Sequence, residues 1–224
     1  MAETATDAVR RGRIDGRDPD GRPYGGELTV TPDGEAFRAR WLRRGPDGTV
    51  ALHGVAFVHE GVVVAARSRL AEPSAGVVAY AIREDGDMPA RWYHPELAGR
   101  LGEGLSTDGP RDTLEGLYRA EYASASARFD PLVKELVRVG DVRLLAWRTA
   151  RETLYEGVGL LFGRRLVAAW ATPRASIEVI RYRPATDVSA APPEDVLGGP
   201  LAGRWAARER AAAGPGEETF MPLA

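Results

Sequence analysis

The three histidines are the first residues to test for chemistry, because imidazole is both a metal ligand and a general base. His53, His59 and His94 all lie in the first half of the chain. His53 and His59 are six residues apart and share a face if one strand holds both, but the residues after His59 predict a turn. We therefore expect no metal site, and we keep His53 and His59 as polar candidates against the simpler alternative of surface histidines.

Two glutamates occupy similar positions in similar contexts, Gly102-Glu103 and Gly216-Glu217. A carboxylate that points into a β-barrel has a raised pKa and can act as an acid or a base. The competing interpretation is an outward glutamate that pairs with an arginine or with backbone amides. Glu103 and Glu217 are therefore polar candidates, and the catalytic residues, if any exist, stay unassigned.

Several kinds of chemistry are excluded. The chain has no cysteine, which removes disulfides, thiolate metal sites and cysteine nucleophiles. No glycine-rich phosphate loop precedes a helix pattern, and no serine nucleophile elbow is present. We expect no cofactor.

The sequence contains an internal duplication. The segment around Gly54 matches that around Gly157, and the apolar runs Val63–Ala66 and Leu166–Ala169 follow at the same offset. Trp41 matches Trp147, and Trp92 matches Trp205. We infer a tail over 1–11, a first repeat over 12–110 and a second repeat over 111–224.

Each repeat shows the period-two alternation of half-buried strands, as in Phe37-Arg38-Ala39-Arg40-Trp41. Turn signals such as Glu84-Asp85-Gly86-Asp87 recur every ~8–12 residues, which is typical of antiparallel sandwiches and barrels. The predicted fold is all-β, with two tandem antiparallel up-and-down barrel-like units and at most short helical elements. One such element competes with strands over Phe129–Val139, where apolar residues fall at helical spacing. Leu201–Ala213 is alanine-rich, but the repeat predicts a strand around Trp205.

Ordered glycines and aromatics carry a family resemblance. The first set is Tyr24, Trp41, Gly54, Tyr80, Trp92 and Gly102-Glu103, and the second contains Trp147, Gly157, Tyr182, Trp205 and Gly216-Glu217. With this order the chain resembles uncharacterised bacterial tandem β-repeat proteins and, more distantly, the avidin and lipocalin (calycin) type of barrel. The resemblance implies closed antiparallel barrels and assigns no functional residue.

Composition and charge limit the partners. The net charge is −2 and the pI is near 6.0, so no basic surface favours nucleic acid. The N-terminal residues are polar and Val62–Ala66 is too short to span a bilayer, so we expect no membrane association and a cytoplasmic location. A homo-oligomer is compatible with the sequence.

Closed barrels of about eight strands can hold one small ligand among aromatic side chains. The candidate ligand-binding residues are Trp41, Tyr80, Trp92, Trp147, Tyr182 and Trp205, for each of which core packing is the competing role. The sequence therefore favours binding of a small, largely apolar molecule. The alternatives are a natural-product cyclase-type enzyme that uses a barrel cavity, and a structural module that forms a homo-oligomer.

Overall fold

The computed structural model describes residues 9–70, 74–185 and 193–223, and these residues form an all-β protein. The first eight strands are β1 (Arg10–Arg17), β2 (Pro23–Asp33), β3 (Ala36–Gly45), β4 (Gly48–His59), β5 (Val62–Ser68), β6 (Gly76–Ala81), β7 (Met88–Tyr93) and β8 (Gly102–Thr107). The next eight are β9 (Gly116–Ala123), β10 (Leu132–Val139), β11 (Val142–Arg148), β12 (Thr153–Phe162), β13 (Arg165–Ala171), β14 (Ile177–Pro184), β15 (Leu201–Ala207) and β16 (Gly216–Pro222).

Helical structure in the described residues is limited to short turns. They are 3-10 turns over Pro95–Leu97 and Arg208–Ala213, and a single α-helical turn over Pro193–Val196. The all-β prediction is confirmed. Of the two interpretations of Phe129–Val139, the strand is correct, because Leu132–Val139 pairs with both β9 and β11. Leu201–Ala207 is likewise a strand, and the alanine-rich residues after it form the second 3-10 turn.

The sixteen strands close into two antiparallel eight-stranded barrels, as predicted. Barrel 1 has the strand order β1-β16-β15-β14-β5-β4-β3-β2, and barrel 2 has the order β10-β11-β12-β13-β6-β7-β8-β9. Closure leaves neither barrel with an unpaired edge. The register matches between the barrels: Gly54 pairs with Arg67 in barrel 1 as Gly157 pairs with Trp170 in barrel 2.

The barrels do not coincide with the successive segments 12–110 and 111–224. Each barrel takes five strands from one half of the chain and three from the other. The reason is that β5 and β6, although consecutive in sequence, do not pair with each other. Instead β5 pairs with β14, and β6 pairs with β13. Barrel 2 is therefore one continuous segment of the sequence, from β6 to β13. Barrel 1 is formed by the strands that precede this segment, β1–β5, and those that follow it, β14–β16. At the N-terminus, Arg10 and Arg11 belong to β1, and the rest of the predicted tail lies almost wholly outside the described residues.

The apolar runs of the duplication lie where the two barrels meet. Every residue of β5 is buried, because one face lines barrel 1 and the other packs against barrel 2. Val64 and Ala66 share one apolar cluster with Val77 of β6 and Val167 of β13. Strands buried on both faces carry continuous apolar sequence instead of alternation, which explains Val62–Ala66.

Candidate functional site

The six predicted aromatic residues are all buried inside the barrels. Trp41, Tyr182 and Trp205 lie in the core of barrel 1. Tyr80, Trp92 and Trp147 lie in the core of barrel 2. Each barrel thus combines aromatic residues from both halves of the chain, and in both barrels these side chains pack the interior.

A tryptophan–tyrosine hydrogen bond recurs in both interiors. In barrel 1, Trp41 Nε1 donates to Tyr182 Oη at 3.1 Å. In barrel 2, Trp147 Nε1 donates to Tyr122 Oη at 2.7 Å, and Tyr122 Oη lies 2.6 Å from Tyr80 Oη. These bonds satisfy the polar ends of side chains that are otherwise surrounded by apolar groups.

Barrel 1 also contains a buried charged centre, which we define as Arg67, Glu178 and Glu218. The Arg67 side chain is 0% exposed, and its Nε and Nη1 atoms lie 2.6 Å from Glu178 Oε2 and 3.0 Å from Glu218 Oε2. The guanidinium also lies over the rings of Trp41 and Trp205, with Cζ 5.4 and 5.2 Å from the ring centroids. Ion pairing and cation–π contacts offset part of the cost of burying this charge.

Two tyrosines complete the shell around Glu218. Tyr24 Oη donates to Glu218 Oε2 at 2.9 Å, and Tyr182 Oη donates to Glu218 Oε1. Burial, reinforced by the negative charge of Glu218, raises the pKa of both tyrosines. For Arg67, burial alone would lower the pKa, but Glu178 and Glu218 outweigh it and raise the pKa well above its ordinary value. The tyrosines therefore remain hydrogen-bond donors, and the arginine remains charged.

Three donors beside Trp205 have no acceptor among the described residues: Arg43 Nη1, Arg67 Nη2 and Trp205 Nε1. The Cζ atoms of Arg43 and Arg67 both lie 5.2 Å from the Trp205 ring centroid, so the three groups are neighbours. The corresponding indole of barrel 2 is satisfied, since Trp92 Nε1 donates to the Glu103 carbonyl at 3.0 Å. Unpaired buried donors are costly and rare in folded proteins.

Barrel 2 shows what the same fold looks like without the charges. The strand registers equate Arg67 with Trp170, Glu178 with Gly76, and Glu218 with Gly104. Aromatic rings fill the space: a Cβ on Gly76 would lie 2.2 Å from Trp170, and a Cβ on Gly104 would lie 2.5 Å from Tyr122. Closing the barrel therefore does not require an ionic centre.

A lysine is buried at a different place in barrel 2. Lys134 is 0% exposed, and its Nζ lies 4.0 Å from Met88 Sδ and 4.0 Å from the Tyr80 ring centroid. Tyr118 contributes a second ring, at 4.7 Å. Among the described residues no carboxylate pairs with this amine, and burial lowers its pKa well below 10.5.

The polar residues predicted from the sequence lie apart from these centres. Glu103 and Glu217 are both exposed, and Glu103 pairs with Arg91 at 2.5 Å. His53 and His59 are half-buried on β4, and burial lowers the pKa of His59. His94 caps the Pro95–Leu97 turn and stacks on Trp170. No group of three metal-ligating side chains occurs in the described ranges.

Sequence reasoning missed all three members of the charged centre. Signals in the sequence marked two of the three. Arg67 stands where the second copy has Trp170, directly after the matched apolar runs, and Glu218 shares its strand face with the buried Phe220, whereas Glu217 does not. Strand parity, applied to β16, selects Glu218 as the inward carboxylate.

The wall of barrel 1 carries a concavity beside the charged centre, although the side chains of Arg67 and Glu218 are fully buried. Gly16 and Gly203 flank Glu218 in the sheet, and a concavity of about 630 Å³ is lined by these glycines together with Tyr24 and Glu218. The rings of Tyr24 and Tyr182 cover these glycines, because a Cβ on Gly16 or Gly203 would lie 2.6 Å from one of the rings.

No protein-family model matches the chain, and no curated protein is significantly similar to it. Within the described part of the chain, none of the helices has the length and apolar character needed to cross a membrane.

Proposed function

We propose that the protein binds a small, largely apolar molecule inside barrel 1 and recognises one hydrogen-bond acceptor on it, such as a carbonyl or carboxylate oxygen. Barrel 2 serves as the scaffold that completes the fold. The observation that carries this proposal is the group of unpaired donors beside Trp205, next to the charged centre of barrel 1.

The unpaired donors indicate which polar group the ligand carries. Arg43 Nη1, Arg67 Nη2 and Trp205 Nε1 can only donate, so the complementary group is an acceptor. An oxygen that reaches either guanidinium group would gain a charge-assisted hydrogen bond, which is stronger than a bond from a neutral donor. Arg43 Nη1 lies 4.0 Å from Glu178 Oε2, too far for a hydrogen bond, and so it remains free to take part.

The comparison of the barrels supports a functional origin for the charges. Burying an ion pair costs several kcal/mol of desolvation per ion, and the attraction between the ions often fails to compensate it. Barrel 2 closes with aromatic and glycine residues in the same three places. Departures from local packing rules are expected at functional sites. Because side chains fill the interior of barrel 1, the ligand must be small and binding must displace side chains.

A cyclase-type enzyme is the second candidate. The observation that favours it is the pair of protonated tyrosines on Glu218, Tyr24 and Tyr182. By turning away from Glu218, either hydroxyl could donate to an oxygen that gains negative charge in a transition state. Turnover of a ligand that binds barrel 1, lost in Tyr182→Phe while binding persists, would distinguish the enzyme from the binding protein.

The binding proposal is tested with a panel of small aromatic acids, ketones and hydrocarbons, measured by thermal shift and calorimetry on the wild type, Trp205→Phe and Trp92→Phe. We expect an acid or ketone to bind and naphthalene, which has no acceptor, to fail. Trp205→Phe should weaken binding about tenfold, the worth of one hydrogen bond. The matched Trp92→Phe change should leave the affinity intact. Equal binding of naphthalene, equal losses in the two variants, or no binding by the whole panel would overturn the proposal.

A further inference from the structure

A groove between the two barrels is lined by an unusual number of arginines. Its volume is about 470 Å³, and it lies between the β10–β11 and β12–β13 ends of barrel 2 and strands β14 and β15 of barrel 1. The charged residues in its lining are Arg138, Arg143, Arg181, Arg183, Arg204 and Asp141. Five positive charges face one negative charge, in a protein whose net charge is −2.

Arg181 is the buried member of this group. It is 9% exposed, and its Nε has no acceptor among the described residues. Burial, followed by repulsion from Arg183 and Arg204, lowers the pKa of Arg181 to about 10. An arginine in this setting destabilises the protein until an anion neutralises it, since buried charges are normally paired.

Within the described residues, the neighbouring side chains do not neutralise the Arg181 charge. Arg143 pairs with Glu115 at 2.9 Å, whereas Arg204 reaches Asp141 only at 3.8 Å, and that aspartate is largely exposed. The ring of Phe162 lies beneath the guanidinium groups, 4.7 Å from Arg181 Cζ and 5.6 Å from Arg183 Cζ. The ring holds the two groups at the groove and supplies an apolar surface there.

We infer that this groove is a binding site for a small molecule that carries an oxyanion, a phosphate or a carboxylate, next to a flat apolar group. Arg181, Arg183 and Arg204 bind the oxyanion, because guanidinium groups match the geometry of phosphate and carboxylate oxygens. Phe162 packs against the apolar group. The site lies on the outer side of β14, whereas the neighbouring Ile180 and Tyr182 face the interior of barrel 1. Its three arginines also line the concavity beside Glu218, so the site is next to the charged centre but outside the barrel.

The test compares phenyl phosphate, inorganic phosphate and benzyl alcohol by calorimetry and thermal shift on the full chain. We expect phenyl phosphate to bind more tightly than inorganic phosphate, and benzyl alcohol not to bind. Arg181→Met should weaken phenyl phosphate binding about tenfold. It should also leave the unliganded protein at least as stable, because it removes an unpaired buried charge. Arg40→Met removes an exposed arginine from β3, on another part of barrel 1, and serves as the charge-matched control.

Three results would overturn the inference: equal phenyl phosphate affinity in the Arg181→Met and wild-type proteins, equal losses in Arg181→Met and Arg40→Met, or binding of benzyl alcohol as tight as that of phenyl phosphate. Arg181-dependent binding of a duplex oligonucleotide without binding of phenyl phosphate would also exclude a small-molecule site. Trp205→Phe distinguishes this inference from the proposed function. The variant should weaken the binding of ligands inside barrel 1 and leave phenyl phosphate binding unchanged.

Discussion

Arg67 and Lys134 are both fully buried basic side chains, but their surroundings differ. Arg67 has two carboxylates within 3.0 Å, whereas a sulfur and two aromatic rings lie close to the Lys134 amine. Removing one partner of a buried ion pair strongly destabilises the folded protein, because the other charge stays buried without a partner. A buried amine without a partner already destabilises the folded protein. The two residues should therefore respond to substitution in opposite directions.

Removing the positive charge at Arg67 should destabilise the protein. Arg67→Met leaves Glu178 and Glu218 buried without a cation, and we expect a loss of about 3–5 kcal/mol in the free energy of unfolding. The triple variant Arg67→Met/Glu178→Gln/Glu218→Gln should recover part of that loss, because it removes the carboxylate charges as well. Urea unfolding measures both. A triple variant that is less stable than Arg67→Met would contradict the ionic description of the centre.

Lys134 should make stability depend on pH. Its pKa is lowered in the folded protein, so between that lowered value and about 10.5 the unfolded chain binds a proton that the folded chain does not. The free energy of unfolding therefore rises with pH in this window, by up to about 1.4 kcal/mol per pH unit from this one group. Lys134→Met should be more stable near neutral pH and should lack this contribution. Urea unfolding of both proteins from about pH 8 to pH 9.5 measures the difference in slope, and equal slopes would contradict the prediction.

At the scale of elements, the strands where the barrels meet are the most deeply buried. β5 is buried along its whole length, and β6 and β14 nearly so, whereas β9 and β10 expose one face. Amide hydrogens exchange slowest where opening requires the largest unfolding event. We expect β5, β6 and β14 to show the slowest exchange. Faster exchange in β5 than in β9 would contradict the inter-barrel packing.

Most strands and turns could be predicted from alternation and turn residues, because these are local signals. The interpretation of Phe129–Val139 stayed open, since its apolar spacing suits a helix while Gly140-Asp141 suits the hairpin that forms. Strand pairing was not predictable from the sequence. The backbone groups and buried side chains of β5 would suit β6 as a neighbour as well as they suit β14. Which of these pairings forms depends on the whole chain and not on any segment.

The candidate site could be predicted only in part. The buried tryptophans and tyrosines followed from the duplication, because both copies need large side chains inside. The charged centre did not, because Arg67, Glu178 and Glu218 come from three strands that lie far apart in sequence. Glu217 was kept as a candidate with an outward position as the alternative, and it is exposed, whereas the adjacent Glu218 is buried. In a β-strand, one residue exchanges the inner face for the outer.

For the whole molecule, barrel 2 is contained in one continuous segment and barrel 1 is not. A fragment of residues 74–176 holds all eight strands of barrel 2 and should unfold cooperatively, with its tryptophans in a fixed environment. The fragment 9–112, of nearly the same length, contains one complete repeat but five strands of one barrel and three of the other. It should not form a stable monomeric barrel.

Circular dichroism in the aromatic region and urea unfolding of the two fragments test this architecture, with light scattering to report their assembly. A cooperatively folded monomer of 9–112 would show that β5 and β6 prefer to pair with each other. That result would contradict the pairing of β5 with β14 and of β6 with β13 described above.

The unpaired Trp205 indole is the point at which we propose that barrel 1 recognises a ligand. The chain has five tryptophans, so five indole N–H signals are expected in a ¹H–¹⁵N spectrum, and Trp205→Phe and Trp92→Phe assign two of them. On titration with the tightest acid or ketone of the panel, the Trp205 signal should move downfield as its N–H acquires an acceptor, while the Trp92 signal stays in place. A saturating ligand that leaves the Trp205 signal unmoved would contradict the account.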